Sequence, residues 1–366
     1  MKFTVLTENL KEAIVLAEKN VGKKMSLPAL SSVLFVAEKN KIFVIATNLE
    51  TGIEIWVGGK VEEEGRVVLP ARVVSSFVSL VKNEQITFVS KGDNVEISTP
   101  VSKTIIQGYP VSDFPVLPKT NTSKTITLPA GLLCKALSSI MSAAATSDIK
   151  PEIASILFSF LKKELTVVAT DSFRLAERKL EVLKTNTDEA QFLLPYKGCF
   201  DLIRLLEKES GGVDVFLEQG QVTFSTNRFR MISRLTEGIY PDYKKIIPRT
   251  FSTEVFINHQ ILADTLRVAG LFTGKLHDIT FQIQPKEKTL SIRTSNNDIG
   301  QNESHIEAHI QGDAVKISFN YQYIYQGLEQ LEDGDVFWGF TSASGPLLMR
   351  KKDDDTFFYI VMPMRA

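Results

Sequence analysis

The sequence predicts an α+β fold made of three similar domains, and three observations carry that prediction. Strand-then-helix segments recur three times along the chain. A second amphipathic helix recurs at a fixed spacing, and paired runs of alternating apolar residues lie between the helices. Strands grouped into hairpins, with helices on one side of them, argue for sheets carrying helices rather than for strictly alternating βαβ units.

The first elements of the repeat are "FTVLTENLKEAIVLA", "ITLPAGLLCKALSSI" and "VFINHQILADTLRVA". Their apolar positions superimpose as Leu10/Ala13/Ile14/Ala17, Leu133/Ala136/Leu137/Ile140 and Leu262/Thr265/Leu266/Ala269, the one-sided stripe of a helical period. Thr7 and Asn258 are expected as N-caps, and Pro129 marks the middle start. Next come hairpins, "SVLFVAEKNKIFVIAT", "SILFSFLKKELTVVAT" and "ITFQIQPKEKTLSIRT", with polar turns at 38–41, 162–164 and 285–288. The second helices, "LPARVVSSFVSLV", "LPYKGCFDLIRLL" and "FNYQYIYQGLEQL", keep one phase: Leu69, Leu194 and Phe319 stand at equal steps of 125 residues. A period that long makes each copy a domain with its own core. Linkers are expected where Pro, Thr, Asn and Ser cluster, at "PVLPKTNTSKT" and "IIPRTFST", which gives domains 1–118, 123–247 and 251–366.

Composition excludes several function classes. The chain of 366 residues has a formal charge of −1, so a nucleic-acid partner requires cations gathered on one surface. Cys134 and Cys199 sit in helix-like apolar patterns and read as buried hydrophobes, which suits a reducing cytoplasm. "MKFTVLTENL" lacks a signal-peptide core, and no run reaches the length of a membrane span. His305 and His309 in "HIEAHI" share a face if one strand carries both, but would lie ~13 Å apart, too far for one metal ion. "GLFTGK" is one residue short of a phosphate loop and follows a helix. No G-x-S-x-G, no C-x-x-C and no clustered carboxylates at metal-binding spacing occur. A non-catalytic chain with no cofactor and no metal is expected. "VVATDSFRLAERKL" places an acid beside a hydroxyl at a strand end. Asp and Ser there favour a turn, and Thr47-Asn48 and Thr294-Ser295 align with Thr170-Asp171, so a short turn is expected in every copy. The continuation "SFRLA" is particular to the second.

The residues "MKFTV", "SLPALSSVLF", "TNLE", "ATDSFRLA", "LPYKG", "YPDYKKIIP", "FNYQY" and "YIVMPMR" resemble the bacterial β sliding clamp family over nearly the whole chain. That resemblance implies three clamp domains per subunit and a head-to-tail homodimeric ring, helices inside and sheets outside. It implies sequence-independent retention on double-stranded DNA through phosphate attraction, which is salt-sensitive. Cations on or beside the repeated helices fit this: Lys11, Lys24, Arg72, Lys135, Lys197, Arg204 and Arg267, of which Lys24, Arg72, Lys197 and Arg204 are the expected DNA contacts and Lys24 and Lys197 the most direct matches to the family. Acids on the same helices, Glu8, Glu12, Asp201 and Asp264, favour ordinary solvated charge instead, and Tyr196 stands where the family often has arginine.

The resemblance also implies a hydrophobic pocket for short extended peptides of the replicative polymerase, the clamp loader, other polymerases, mismatch-repair proteins and ligase. Residue by residue it would draw on Ile153, and on Thr170, Ser172, Phe173, Arg174 and Leu175. Further along it would take Pro241, Lys245 and Ile246, then Tyr323, Ile360 and Met362. Phe173 replaces a histidine of some members and Lys245 a frequent arginine, and lysine offers a point charge where arginine offers a planar fork. The dimer interface would set Ile106 against Leu271 and Phe272. Two other readings remain open from residues alone: a repeat-built enzyme acting on nucleic acid, and a monomeric scaffold that only displays peptide pockets.

Overall fold

The computed structural model describes residues 1–22, 28–39, 41–82, 84–120, 124–147 and 149–364. Among them are six α-helices: α1 (Thr7–Lys19), α2 (Ala71–Leu80), α3 (Ala130–Ile140), α4 (Tyr196–Leu206), α5 (His259–Gly270) and α6 (Tyr321–Glu329). The expected stripes of α1 and α3 are buried, with no member more than 2% exposed. In α5 the stripe runs through Ala263; Thr265 is half-buried and donates to the Ile261 carbonyl at 2.8 Å. Val74, Cys199 and Ile324, in phase along the second helices, are all fully buried.

Each first helix begins directly at the end of a strand, and the amide at that corner needs a partner. The Thr7, Ala130 and His259 amides donate to the Glu84, Gly211 and Gly334 carbonyls at 2.9, 2.9 and 2.8 Å. The segment leaving the second helix therefore closes the start of the first in all three domains. Asn258 caps α5 as expected, accepting from Gln260 and Ile261 at 3.0 and 3.2 Å. Thr7 does not cap α1. It is the first helical residue, and Leu6 occupies the cap position with no side-chain bond, because the strand Lys2–Leu6 runs unbroken into the helix.

The chain divides into two compact units, 1–134 with 182–188 and 197–235, and 135–181 with 189–196 and 236–366. The middle repeat contributes to both. The first unit holds a 13-stranded sheet, in which Thr51–Glu63 pairs antiparallel with Phe229–Arg234 and the path ends at Lys103–Ile106. The second holds a 9-stranded sheet, in which Arg174–Glu181 pairs with Phe357–Val361, and a 4-stranded sheet ending at Gly300–Glu307.

The polar turn after the second hairpin strand is the same object in the first two domains. Thr47 and Thr170 donate from Oγ1 to the Thr51 and Arg174 carbonyls at 2.9 and 2.7 Å, and Leu49 and Ser172 take positive φ of 72° and 77°. The third domain departs from the expected alignment. Thr294 and Ser295 are strand residues paired with Asn302 and Gln301, and the reversal comes after Asn296, because pairing continues to Asn296 opposite Gly300. His305 and His309 do not share one strand either, since Ala308 separates Gly300–Glu307 from His309–Gly312. Cys199 is buried and Cys134 half-buried, the Cys134 Sγ donating to the Ile203 carbonyl at 3.7 Å. Among the described residues no helix is long and apolar enough to cross a membrane.

Candidate functional site

The pairing of Arg174–Glu181 with Phe357–Val361 brings together segments almost two hundred residues apart, with Leu175 opposite Ile360. Just beyond the ladder the Met362 amide donates to the Phe173 carbonyl at 2.8 Å, and the Met364 amide to the Ser318 carbonyl at 2.9 Å. The C-terminal segment is thereby strapped between the 170–174 turn and the start of α6. The result is an open groove of about 700 Å³ lined by Ser172, Phe173, Asn320, Tyr323, Met362 and Pro363, with Met364 at its end. Phe173 is 60% exposed and Met362 37%. Large apolar side chains left in water at a concave surface mark a place for a partner's apolar groups.

Arg174 organises this groove without lining it. Its Nε donates to Asp171 Oδ2 at 2.8 Å, its Nη1 donates to Gln326 and, at 3.4 Å, to the Tyr359 hydroxyl. Its guanidinium carbon lies 4.2 Å from the centre of the Tyr323 ring, a cation–π contact that fixes the ring at the groove wall. Asp171 is fully engaged in the turn, its Oδ1 accepting from the Phe173 and Arg174 amides at 2.9 and 3.0 Å. Thr170 is buried and holds the same turn.

Two expected pocket residues lie beneath the groove. Leu175 and Ile360 are each 1% exposed and belong to a core cluster with Leu157, Val168, Tyr240 and Tyr243. Both sit within the ladder and face the core, while Phe173 and Met362, beyond its ends, stay at the surface. Pro241 is exposed between the two buried tyrosines, Lys245 pairs with Asp242 at 3.0 Å and Ile246 is 48% exposed. None of these three lines the groove, nor does the half-buried Ile153. Sequence reasoning missed Asn320, Pro363 and Met364. Asn320 was legible as a helix cap, since its Oδ1 accepts from the Gln322 amide at 2.9 Å.

The pairing of Thr51–Glu63 with Phe229–Arg234 is the junction of the first and second domains, as that of Arg174–Glu181 with Phe357–Val361 is the junction of the second and third, and the first is rimmed differently. There the Arg234 amide donates to the Glu50 carbonyl at 2.9 Å, the counterpart of Met362 on Phe173, and the two side chains form an ion pair at 3.9 Å. Charge occupies the positions that Phe173 and Met362 hold in the second.

The helix cations fall into two groups. Lys11, Arg72 and Lys197 are exposed and form no ion pair among the described residues. Lys135 is paired with Glu332, and Arg267 with Asp264 at 2.6 Å. Arg204 lies 4.1 Å over the Phe200 ring and 3.7 Å from Asp201. Asp201 itself is only 3% exposed, and its Oδ2 has no hydrogen-bond partner. Burial pushes its carboxyl up to about 6, against the opposing pull of Lys197, Arg204 and Lys19. Lys24 lies outside the described residues. At the expected dimer surface, Leu271 is 69% exposed and Phe272 half-buried, but Ile106 is 5% exposed and faces the core. The outward residue of that strand is its neighbour Ile105, at 62%.

Three consecutive family models match the chain: the N-terminal domain of the DNA polymerase III beta subunit over residues 1–118, the central domain over 127–242 and the C-terminal domain over 244–365. The chain belongs to the DNA polymerase III beta subunit family. Its domains are clamp domains, and its function is that of a DNA sliding clamp. The beta sliding clamp of Bacillus subtilis (strain 168) is 26% identical over 386 residues, covering 100% of both chains. The DNA polymerase III beta subunit of Thermotoga maritima superimposes with a TM-score of 0.92 at 27% identity, over 100% of this chain and 99% of that one. A sliding clamp of Pseudomonas aeruginosa bound to griselimycin gives 0.95 at 25% identity, over 100% of both. Members of this clamp family are non-catalytic processivity factors, with DNA and polymerase as the partners the family implies.

Proposed function

We propose that two copies of the chain close head to tail into a ring that encircles duplex DNA, and that the groove beside Phe173 and Met362 holds short peptides of the proteins working on that DNA. The reading has no catalytic step: the ring tethers, and topology replaces affinity. What supports closure is an unequal use of strand edges. Within the chain, Thr51–Glu63 is met by Phe229–Arg234 and Arg174–Glu181 by Phe357–Val361. Among the described residues, the corresponding strand of the third domain, Gly300–Glu307, and the corresponding last strand of the first, Lys103–Ile106, both end their sheets unpaired on one side. Open edges invite another chain, and each carries exposed apolar neighbours, Ile105 at 62%, and Leu271 and Ile299 at 69% and 65%.

Inside such a ring, Lys11, Arg72 and Lys197 supply attraction to phosphates that reads no base edge and weakens with salt. Lys24 belongs to the same expectation, while Arg204 needs release from Asp201 and Phe200 to join it. The clients of the groove would be the replicative polymerase, the clamp loader, other polymerases, mismatch-repair proteins and ligase, each through a short segment with large apolar side chains. Ile153, Pro241, Lys245 and Ile246 would extend the groove for longer peptides. The compartment of such a protein is the cytoplasm.

The deciding experiment loads the protein onto nicked circular DNA, then linearises half of the sample and follows retention on both. A long lifetime on circles with rapid loss from free ends is expected. Equal lifetimes with a monomeric mass would favour a peptide-displaying scaffold, and chemical change in the DNA would favour an enzyme.

A further inference from the structure

Both junctions inside the chain carry an ion pair from the same position of the leading helix to the segment just past the trailing one. In the first, Glu12 of α1 accepts from Arg228 at 2.7 Å and meets Lys208, two residues past α4, at 3.2 Å. In the second, Lys135 of α3 pairs with Glu332, three residues past α6, whose other oxygen meets Lys351 at 3.0 Å. Glu12 and Lys135 are equivalent, each two residues after the buried stripe leucine, Leu10 or Leu133. The leading position is retained, the trailing partner shifts by one residue, and the sign is inverted.

The third pair of such positions is present in the sequence. Two residues after the buried stripe leucine Leu262 of α5 stands Asp264. The position of Glu332 in the first domain is Lys82. Helices α2 and α6 start at Ala71 and Tyr321, and the carbonyls that close the first helices belong to Glu84 and Gly334, so one step of 250 residues aligns the whole segment without a gap. Both residues are exposed. Among the described residues Lys82 forms no ion pair, and Asp264 bonds only within its own helix, to Arg267 at 2.6 Å and Gln260 at 3.0 Å.

We infer that Asp264 of one copy pairs with Lys82 of a second copy, forming at the seam between chains the same latch that closes both junctions within a chain. The inference rests on the head-to-tail reading above and names a contact that reading leaves open. Its polarity is that of the first junction, acid on the leading helix and base past the trailing one. The pair lies at the surface, so the attraction is modest and screened by salt. A seam held this way loosens with ionic strength at a point where a ring has to part.

The test is a charge swap in the full-length chain, read by sedimentation velocity over a dilution series. Lys82→Glu and Asp264→Lys should each weaken dimerisation about 3- to 10-fold at low salt, with less effect at high salt. The double variant should return to within about 2-fold of the parent. Thermal midpoints measured alongside separate a folding defect from a seam defect, and Lys82→Ala gives a milder loss that avoids like-charge contact. Singles indistinguishable from a dimeric parent, or a double variant at least as weak as the worse single, would overturn the latch and leave the dimer standing. A parent monomeric at every concentration would overturn the head-to-tail reading itself.

Discussion

Leu175 and Met362 are both apolar residues of the groove region, yet the structure gives them different tasks. Leu175→Ala empties part of a packed cluster and should cost about 2–5 kcal/mol of stability, measured as a lower urea midpoint. Met362→Ala should leave that midpoint in place and weaken a labelled client peptide about 5- to 30-fold in a fluorescence titration. Asp201 predicts a pH dependence of opposite sense to an ordinary carboxylate. With its folded value raised to about 6, the stability tied to its neutral form is full below the usual carboxylate range and is lost as pH rises through 6. Asp201→Asn should therefore stabilise the fold at pH 8, by up to roughly 3 kcal/mol, with the gain vanishing near pH 4. The residue scale is also where the sequence was least legible. Family resemblance pointed to Phe173, Tyr323 and Met362, but it carries no burial, so Leu175, Ile360 and Ile106 came with them although their side chains face inward. Arg204 over Phe200, four residues earlier on one helix, was readable as a helical pair and was missed.

At the scale of elements the repeat made the fold legible, since the periodicity that places a helix in one copy places it in all three. Corner chemistry varied more: Asn258 was visible as a cap, whereas α1 starts from a strand without one. The register between copies follows from the same equivalence. Thr4, Thr87, Ser98 and Lys103 face one another in turn across the first domain, as Thr127, Asp214, Ser225 and Arg230 do in the second. Lys103 thus takes the place of Arg230, and Ile105 that of Ile232, which faces Gly52. Gly52 lies opposite Thr47, and Asn302 opposite the matching Thr294. Ile105→Cys combined with Asn302→Cys should form a disulfide between copies on oxidation, seen as a species resistant to dilution. Thr104→Cys with Asn302→Cys, on opposite faces, should not, and peptide mapping distinguishes any bond to Cys134 or Cys199. Equal cross-linking by both pairs would refute the register.

For the whole molecule, a net charge of −1 means that, on the proposed reading, hold on DNA would come from a few cations without a carboxylate partner rather than from bulk charge. Replacing Lys11, Arg72 or Lys197 by Gln should lower the slope of binding against salt by about 0.9 for each phosphate that is no longer neutralised, with no change in base preference. A variant with an unchanged slope would place that residue away from the DNA. Composition could not show this, because what matters is which lysines and arginines lack a carboxylate neighbour, and that is a property of the folded surface. The strand Phe357–Val361 and the strapped residues after it complete the groove next to a turn formed at 170–174. The groove therefore cannot form until the segment 357–364 joins a turn laid down almost two hundred residues earlier in the chain. On the proposed reading, a chain cut before Phe357 would keep most of its sequence and yet offer a client peptide no groove.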